Sequence, residues 1–372
     1  MSNLVIYRLP HQSSCFMIRQ TGRPQLLQSV SQLNDCRGFV IAPFDTSGTV
    51  PIAMIQGDDI REIPLTDEQA IYSHAGYDAP DEERKEIPAI LPQDKESQRW
   101  KYFIDFANFH SQISDGVFDK LVLSRQTEER LSGDITGCSA VTLFLRACER
   151  YPRMFISLID VEGVGMWITA TPEILLEGSD GRYRTISLAG TMKLEGEQLS
   201  FDTPDATGGN DLIRWTDKNI QEQRFVSTYI TECLEQYSDN VTEKGPYTAR
   251  AGQLVHLRSD FDFSIRDTSK LGNILNSLYP TPAVCGLPKD RSKRFIIENE
   301  PLPRGYYSGF MGMLDPHGTT SLYVSLRCSR INGRVIALYA GGGILPDSRG
   351  EEEWMETEMK MDTIRNLFDV QQ

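Results

Sequence analysis

The sequence lacks the features that mark membrane and exported proteins. No apolar run in its 372 residues reaches about 18 residues, the length that a helix needs to span a membrane. The N-terminal segment has no basic stretch followed by an apolar core, which is the pattern of a secretory signal peptide. We therefore expect neither a membrane span nor a signal peptide, and we predict a cytoplasmic protein.

Cysteine and histidine are sparse and show no metal-binding pattern. The seven cysteines are scattered, no C-x-x-C pair occurs, and none of the five histidines stands at zinc-ligand spacing from them. We expect reduced thiols rather than a zinc site. The chain also has no P-loop, no dinucleotide-binding glycine fingerprint after a strand and no internal repeat.

Positive charge is scarce as well. The 38 Lys and Arg residues face 52 Asp and Glu residues, which gives a net charge of -14 and a pI near 4.9. Nucleic acids and anionic membranes bind clustered Lys and Arg, so neither is expected as a partner. An anionic substrate would have to be met by a local cationic site.

The length allows one large α/β unit or two domains.

The pattern of apolar residues changes near residue 95. Before it, short apolar runs such as FVIAPF and VPIAMI, separated by turn residues, predict strands. Residues 79–98 hold three prolines and many charges, which is typical of a surface connector. Next, helical spacing of apolar residues predicts an amphipathic helix with an apolar face formed by Trp100, Phe103, Ile104 and Ala107.

Two ionisable residues then stand in apolar surroundings. Lys120 begins DKLVLSR, a predicted strand covered on both faces; it is either a solvated edge residue or, if apolar walls lower its pKa, a general base. Glu173 lies between Pro172 and Ile174 in an apolar strand-turn-strand pattern. It is either a simple turn carboxylate or an acid whose pKa is raised towards neutrality.

Small residues follow two further predicted strands. The strand YRTISLAGT ends in Ala189, Gly190 and Thr191, and the run Gly341–Gly343 predicts a glycine turn after the last strand. A backbone without large side chains lets a ligand approach closely. We therefore interpret both segments as parts of a binding surface.

The helix predicted after this glycine run carries acids on one face. Glu353, Glu356 and Lys360 fall at i, i+3 and i+7. Two carboxylates one turn apart suit Mg²⁺, which prefers oxygen ligands. The neighbouring acids Glu351 and Glu352 make a solvated acidic face the alternative interpretation.

Three other polar positions are candidates. Lys218 and Glu222 lie four residues apart on a long predicted helix, where they could form a surface ion pair. His256, in an apolar strand, is either a hydrogen-bonded core residue or a residue that orients a ligand. Arg327, expected on the middle of three antiparallel strands between Leu326 and Cys328, calls for a carboxylate partner from the protein or from a ligand.

Taken together, these segments resemble the chorismate-utilising enzymes, which include isochorismate synthase, salicylate synthase, anthranilate synthase component I and aminodeoxychorismate synthase. Nine motifs occur in the family's order over residues 95–372: DKLVLSR, TPEILLE, SLAGT, DKNIQEQ, PTPAVCG, RGYYSGFMG, SLRC, AGGGI and EEWMETEMK. The resemblance implies an α/β (α+β) fold of two mostly antiparallel sheets packed together and covered by helices. Residues 1–94 would be a variable N-terminal part of that fold, and residues 95–372 the chorismate-binding catalytic region.

The resemblance also implies roles for individual residues. Mg²⁺, which binds the ring carboxylate of chorismate, would be held by Glu222, Glu353 and Glu356. The enolpyruvyl carboxylate would be received by Tyr307, Arg327 and backbone groups around Gly341 and Gly343. The same pocket would include Gly190, Thr191 and Lys360, with His256 as a possible orienting residue.

Lys120 separates two branches of the family. The water-using isochorismate and salicylate synthases carry lysine at this position, whereas the amine-forming enzymes generally carry glutamine. Lys120 would take a proton from the attacking water, and Glu173 would donate one to the departing C4 hydroxyl. Ala189 stands where aminodeoxychorismate synthases often have a nucleophilic lysine. The sequence departs from the family pattern at Gln223 and Tyr279, where relatives often have histidine, and we expect only indirect effects there.

The resulting prediction is a Mg²⁺-dependent isochorismate synthase that adds water at C2 of chorismate and removes the C4 hydroxyl. The alternative is a salicylate synthase, which would go on to eliminate pyruvate. Anthranilate or aminodeoxychorismate synthase and a non-catalytic chorismate-binding protein are less favoured. We expect no obligatory amidotransferase partner and a monomer. The sequence does not separate a menaquinone pathway from a siderophore pathway.

Overall fold

Two antiparallel sheets with helices on their outer faces are formed by the residues that the computed structural model describes, which are 3–80, 86–196, 198, 213–251 and 254–369. The strands are β1 (Asn3–Arg8), β2 (Ser14–Gln20), β3 (Gln25–Leu27), β4 (Gly38–Ala42), β5 (Ile52–Ile55), β6 (Asp59–Pro64), β7 (Lys120–Arg130), β8 (Phe155–Val161), β9 (Gly165–Thr171), β10 (Ile174–Ser179), β11 (Arg182–Lys193), β12 (Thr242–Ala251), β13 (Leu254–Ser264), β14 (Gly286–Leu287), β15 (Phe310–Leu314), β16 (Thr320–Val324), β17 (Cys328–Asn332) and β18 (Val335–Ile344). The helices are α1 (Glu68–Ala75), α2 (Glu96–Ser114), α3 (Gly137–Arg150), α4 (Asp217–Leu234), α5 (Leu271–Leu278), α6 (Lys289–Asn299) and α7 (Gly350–Arg365).

In the described part of the chain each sheet has nine strands, and the strand pairings are antiparallel. The first sheet has the order β14-β7-β18-β17-β9-β8-β1-β2-β6, and the second has the order β12-β13-β11-β10-β16-β15-β4-β5-β3. The fold predicted from the sequence is therefore confirmed. The first six strands are divided between the two sheets, since β1, β2 and β6 join the first and β3, β4 and β5 join the second.

The core between the sheets follows from the alternation of apolar residues along the strands. In β1, Val5 and Tyr7 face the second sheet, whereas Leu4 and Ile6 belong to the core beneath the outer helices. The two sheets meet directly where Phe155 of β8 stacks on Tyr323 of β16, with ring centroids 4.4 Å apart.

The outer faces of the sheets are covered by helices. Apolar residues of α1, α3 and α7 pack on the first sheet, and those of α4 and α5 pack on the second. Helices α2 and α6 pack against β7 at the edge of the first sheet. In the described part of the chain, no helix has the length and apolar character needed to cross a membrane.

Helix α2 is confirmed, but the predicted apolar face is wrong. Trp100 and Ile104 are 68% and 69% exposed. The buried residues are instead Tyr102, Phe109 and Ile113, because α2 contacts β7 and α7 through this side. In the connector predicted just before this helix, residues 81–85 lie outside the described residues.

The C-terminal strands also differ from the prediction in three places. Arg327 is not on a strand; it follows β16 with φ 46°, where the chain passes from the second sheet to the first. Gly341–Gly343 do not form a turn but continue β18, in register with Val122–Ser124 of β7. Gly190 and Thr191 lie within β11 rather than at its end, at a bulge where Gly190 has φ 70°.

A buried ion pair binds the backbone of β7 at the edge of the sheet, just beyond the short stretch that pairs with β14. Arg304 and Glu300 are 2.6 Å apart, and their side chains are 2% and 4% exposed. Arg304 donates hydrogen bonds to the carbonyls of Val284 (2.6 Å) and Val122 (2.8 Å). Glu300 accepts one from the amide of Ser124 at 2.8 Å. This pair therefore fixes the strand that begins with Lys120.

Replacing Glu300 with Ala is expected to lower the free energy of unfolding by about 3 to 5 kcal/mol, because a buried guanidinium is left without its carboxylate. Urea denaturation of the purified variant measures this change. The exposed Glu298 provides a matched control, and Glu298→Ala should change the free energy by less than about 0.5 kcal/mol. Similar values for the two variants would show that the buried pair does not stabilise the fold.

Candidate active site

A cavity lies between the two sheets, beside β18 of the first sheet and β11 and β13 of the second. Its wall brings together ten of the thirteen predicted site residues, from strands, loops and helices far apart in sequence. These ten are Glu173, Gly190, Thr191, Glu222, His256, Tyr307, Arg327, Gly341, Gly343 and Lys360. The other three, Lys120, Glu353 and Glu356, lie immediately behind this wall.

Arg327 supplies an unpaired positive charge to the cavity. It is 5% exposed, it has no carboxylate partner among the described residues, and its Nη1 atom has no hydrogen-bond partner there. Its Nη2 atom donates to Nε2 of His256 at 3.0 Å. A buried guanidinium that lacks a carboxylate is suited to receive an anionic ligand.

His256 orients Arg327 through this hydrogen bond. Its Nδ1 atom lies 3.1 Å from the carbonyl oxygen of Gly190, to which it donates when Nε2 accepts from Arg327. Burial, followed by the charges of Arg327 and Lys360, places the pKa of His256 well below its usual value. The imidazole is therefore neutral and accepts a hydrogen bond from the guanidinium.

Tyr307 lies beside Gly341 of β18. Its ring stacks on Tyr339 with centroids 5.5 Å apart, and its hydroxyl oxygen lies 3.0 Å from the point that a Cβ atom on Gly341 would occupy. Burial raises the pKa of Tyr307 above its usual value. The hydroxyl therefore keeps its proton and remains a hydrogen-bond donor.

Glu173 is buried in the loop between β9 and β10. Burial raises the pKa of its carboxyl to about 7, although Lys120, Lys360 and Arg327 act in the opposite direction. Of the two interpretations of Glu173, the structure favours the acid with a raised pKa, and desolvation is the main cause. A carboxyl group with this pKa can hold and release a proton near neutral pH.

Lys120 begins β7, as the strand pattern predicted, and it is fully buried, so the alternative of a solvated edge residue is wrong. Its Nζ atom lies 2.9 Å from Oε1 of Glu222 but makes no hydrogen bond of good geometry to any described residue. The contact with Glu222 is an ion pair in which the side chain of Lys120 is 0% exposed and that of Glu222 is 12% exposed.

Glu222 has a second partner and a shifted pKa. Its Oε2 atom accepts a hydrogen bond from the amide of Gly190 at 3.0 Å. Burial disfavours the charged carboxylate, but the ammonium groups of Lys120 and Lys218 outweigh burial and lower the pKa of Glu222. Glu222 is therefore ionised at the cavity wall.

The two acids of α7 each contact a lysine too. Glu356 accepts a hydrogen bond of 2.6 Å from Lys360, which also donates to the carbonyl oxygen of Gly341 at 2.8 Å. Glu353, which is 1% exposed, pairs with Lys218 of α4 and accepts a hydrogen bond from Ser348 at 2.8 Å. The alternative of a solvated acidic face is therefore wrong for these two acids.

Sequence comparison assigns the chain to a family. The profile of the chorismate binding enzymes matches residues 49–368. The chain belongs to the chorismate binding enzyme family. The resemblance on which the sequence analysis relied is thereby confirmed over most of the chain.

Curated relatives of this family member include two isochorismate synthases of Escherichia coli (strain K12). MenF is 29% identical over 275 residues, which cover 73% of this chain and 60% of the relative. EntC is 29% identical over 254 residues, which cover 67% of this chain and 62% of the relative. The chain thus matches about three fifths of the length of these relatives. Anthranilate synthase component 1 of Aquifex aeolicus is 25% identical over 265 residues.

Solved structures show the same fold. A protein from Bacillus anthracis described as a putative 2,3-dihydroxybenzoate-specific isochorismate synthase, DhbC, superposes with a TM-score of 0.79 at 18% identity, covering 98% of this chain and 95% of that one. MenF from Escherichia coli gives 0.77 at 22% identity, with 99% and 89% covered. At these identities the superpositions establish the fold of this chorismate binding enzyme rather than its activity.

The family's metal ligands can be tested against the side chains. Glu353 has one buried oxygen, Oε2, without a hydrogen-bond partner, and it lies 2.7 Å from the point that a Cβ atom on Gly342 would occupy. Oε1 of Glu356 lies 3.8 Å from the same point, and Oε1 of Glu222 lies 2.3 Å from the corresponding point on Gly343. Hard oxygen donors around a glycine backbone fit Mg²⁺ chemically. Among the described residues, however, no group of three acids is already arranged as a metal site.

Lys218 differs from the prediction in its partner. The sequence suggested an ion pair with Glu222 on the same helix, whereas Lys218 pairs with Glu353 of α7. Ser348 was not among the predicted site residues. The two departures from the family pattern lie outside the cavity wall: Gln223 donates to Ser187 of β11 at 2.5 Å, and Tyr279 donates to the carbonyl of Pro43 at 2.9 Å.

Replacing Glu173 with Gln should stabilise the protein at pH 8 and have little effect at pH 5. The folded-state pKa of about 7 lies above the usual value of 4.5, so stability is lost as pH rises from 4.5 through 7. The gain at pH 8 should reach up to about 3 kcal/mol. Denaturant unfolding at both pH values measures it. The exposed Glu149 serves as control, and equal behaviour of Glu149→Gln and Glu173→Gln would contradict the raised pKa.

Proposed function

We propose that this chorismate binding enzyme is a Mg²⁺-dependent isochorismate synthase, which adds water at C2 of chorismate and removes the C4 hydroxyl. The observation that carries the proposal is a cavity whose wall holds a buried acid with a raised pKa, Glu173, and a buried arginine without a carboxylate partner among the described residues, Arg327, while the buried Lys120 lies behind the wall. Relatives named isochorismate synthase support it.

In this proposal Arg327 and Tyr307 receive the enolpyruvyl carboxylate, together with backbone groups of Gly341 and Gly343. The unpartnered Nη1 of Arg327 supports this role, since a buried guanidinium with a free N–H gains a strong hydrogen bond from a carboxylate. His256 fixes the direction of the guanidinium through its Nε2. The pocket thereby meets an anionic substrate in a protein of net charge -14.

The proton transfers belong to Lys120 and Glu173. Water attacks C2 of the ring as its proton passes to Lys120, the ring double bonds shift, and the C4 oxygen leaves as water with a proton from Glu173. Lys120 accepts the proton of the attacking water as a neutral amine, and its Nζ atom lies 2.9 Å from Oε1 of Glu222. Glu173 is suited to its role because burial keeps its carboxyl protonated up to about pH 7.

Glu222, Glu353 and Glu356 are the proposed Mg²⁺ ligands. When bound, the ion supplies positive charge for the ring carboxylate of chorismate. We propose that residues 1–94 form the variable N-terminal part of the same fold, that the enzyme is cytoplasmic, and that it acts without an amidotransferase. A monomer remains the prediction for its oligomeric state.

Product analysis tests the proposed reaction. Purified protein is incubated with chorismate, Mg²⁺ and an ammonium salt, with and without a chelator, and the products are separated by chromatography. Isochorismate as the main metal-dependent product is the expected result. Salicylate with pyruvate would replace the proposal by a salicylate synthase, aminated products would replace it by an anthranilate-type enzyme, and unchanged chorismate would favour a binding protein.

Replacing Lys120 with Ala should reduce turnover by at least about a hundredfold, the scale of a lost general base, while chorismate still binds. Turnover is followed by the same chromatography, and binding by calorimetry. The exposed Lys270 gives a control, since Lys270→Ala should leave both unchanged. Normal turnover in Lys120→Ala would remove this residue from the mechanism.

Replacing Arg327 with Met should weaken chorismate binding roughly ten- to a hundredfold, because one charge-assisted carboxylate contact is lost. Calorimetry in a Lys120→Ala background measures binding without turnover. The control is Arg330→Met on β17, whose side chain is exposed. Equal affinity of the Arg327 and Arg330 variants would contradict a role for Arg327 in carboxylate binding.

A further inference from the structure

Each of the three carboxylates proposed as Mg²⁺ ligands contacts a different lysine. Lys120 contacts Glu222 at 2.9 Å, Lys360 contacts Glu356 at 2.6 Å, and Lys218 contacts Glu353. Lys120 is the proposed base, and Lys360 lines the cavity. Lys218 has no role in the proposed reaction, and it is not part of the cavity wall.

Lys218 is held in place by the first turn of α4. That turn begins at Thr216, whose side chain accepts a hydrogen bond from the amide of Asn219. The side chain of Lys218 is 21% exposed and reaches across to Glu353 of α7, whose side chain is 1% exposed. The ion pair therefore joins a helix of the second sheet to a helix of the first.

Glu353 uses its two oxygens differently. Oε1 receives both the ammonium of Lys218 and the hydroxyl of Ser348, which donates at 2.8 Å. Oε2 has no partner among the described residues and points to the backbone at Gly342, on the side where Glu356 also lies. The carboxylate thus has one oxygen taken by a cation and one oxygen left open towards the proposed metal position.

We propose that Lys218 is a built-in counter-ion of the metal-free site, and that a divalent cation has to displace its ammonium from Glu353 in order to bind there. Lys218 would then lower the affinity for the metal and keep the buried acids compatible with folding in its absence. This inference rests on the metal site of the proposed function.

Charge is the physical reason for this role. The side chain of Glu353 is 1% exposed, and Glu356 lies three residues away on the same face of α7. Without a cation, these two carboxylates one helical turn apart would repel each other. An ammonium and a divalent ion at one carboxylate repel each other in turn, because both are positively charged.

Binding of Mn²⁺ to the chorismate-free protein tests this inference. Mn²⁺ prefers the same oxygen ligands as Mg²⁺, and its free concentration is read from its electron paramagnetic resonance signal. Lys218→Met should bind Mn²⁺ at least about tenfold more tightly than the parent chain, since a competing charge is removed. Lys218→Arg should bind no more tightly than the parent, because the guanidinium keeps the charge and can pair with both carboxylate oxygens.

Two controls separate this effect from a structural one. The exposed pair of Lys244 with Asp262, 3.1 Å apart, provides Lys244→Met, which should bind Mn²⁺ like the parent chain. Thermal unfolding with and without Mg²⁺ provides the second readout, because a ligand that binds only the folded state stabilises it more when it binds more tightly. Mg²⁺ should raise the melting temperature of Lys218→Met more than that of the parent.

Equal Mn²⁺ affinity of the parent and Lys218→Met would overturn the inference, and so would absence of binding in both. If Lys218→Met does not fold, a Lys218→Arg variant that binds Mn²⁺ more tightly than the parent would overturn it as well. Failure of the proposed function is a separate result. A parent chain that binds Mn²⁺ but forms no isochorismate contradicts the reaction, whereas unequal Mn²⁺ affinities still support the role of Lys218.

Discussion

The site depends on one electrostatic constraint, which is the crowding of three buried or half-buried carboxylates against the backbone of a single strand. A Cβ atom on Gly342 would collide with Glu353 and one on Gly343 would collide with Glu222, while Glu356 lies 3.8 Å from the Cβ position of Gly342. Buried like charges are costly unless each has a counter-charge. The lysines around the site meet this requirement in the metal-free protein, and a divalent ion could meet it in their place.

The constraint also explains why the site needs the whole sandwich. Glu222 comes from α4, which covers the second sheet, whereas Glu353 comes from α7, which covers the first. Antiparallel pairing of β18 with β7 places Gly343 opposite Val122, two residues from Lys120. The buried pair of Arg304 and Glu300 fixes that strand, so the position of Lys120 is set by contacts outside the cavity.

Local patterns in the sequence predicted much of this. Apolar runs located the strand of Lys120, the apolar surroundings of Glu173 predicted its raised pKa, and the motif order predicted the fold. Contacts between segments far apart in the sequence could not be predicted from local patterns. The ion pair of Lys218 with Glu353 joins residues 135 positions apart, and no local pattern encodes it. The run Gly341–Gly343 was predicted as a turn because glycine signals turns locally, whereas here acids from two helices require it within a strand.

The cations of the cavity also act on Glu173. Arg327 lies close to Glu173 but does not ionise it, because desolvation of the carboxyl outweighs the attraction of the nearby cations. An anionic substrate that pairs with Arg327 would neutralise part of that attraction. Its own negative charge would raise the pKa of Glu173 further. Binding of a dianion such as chorismate would therefore keep the acid protonated above pH 7, so the substrate itself would help to preserve the proton that the proposed reaction consumes.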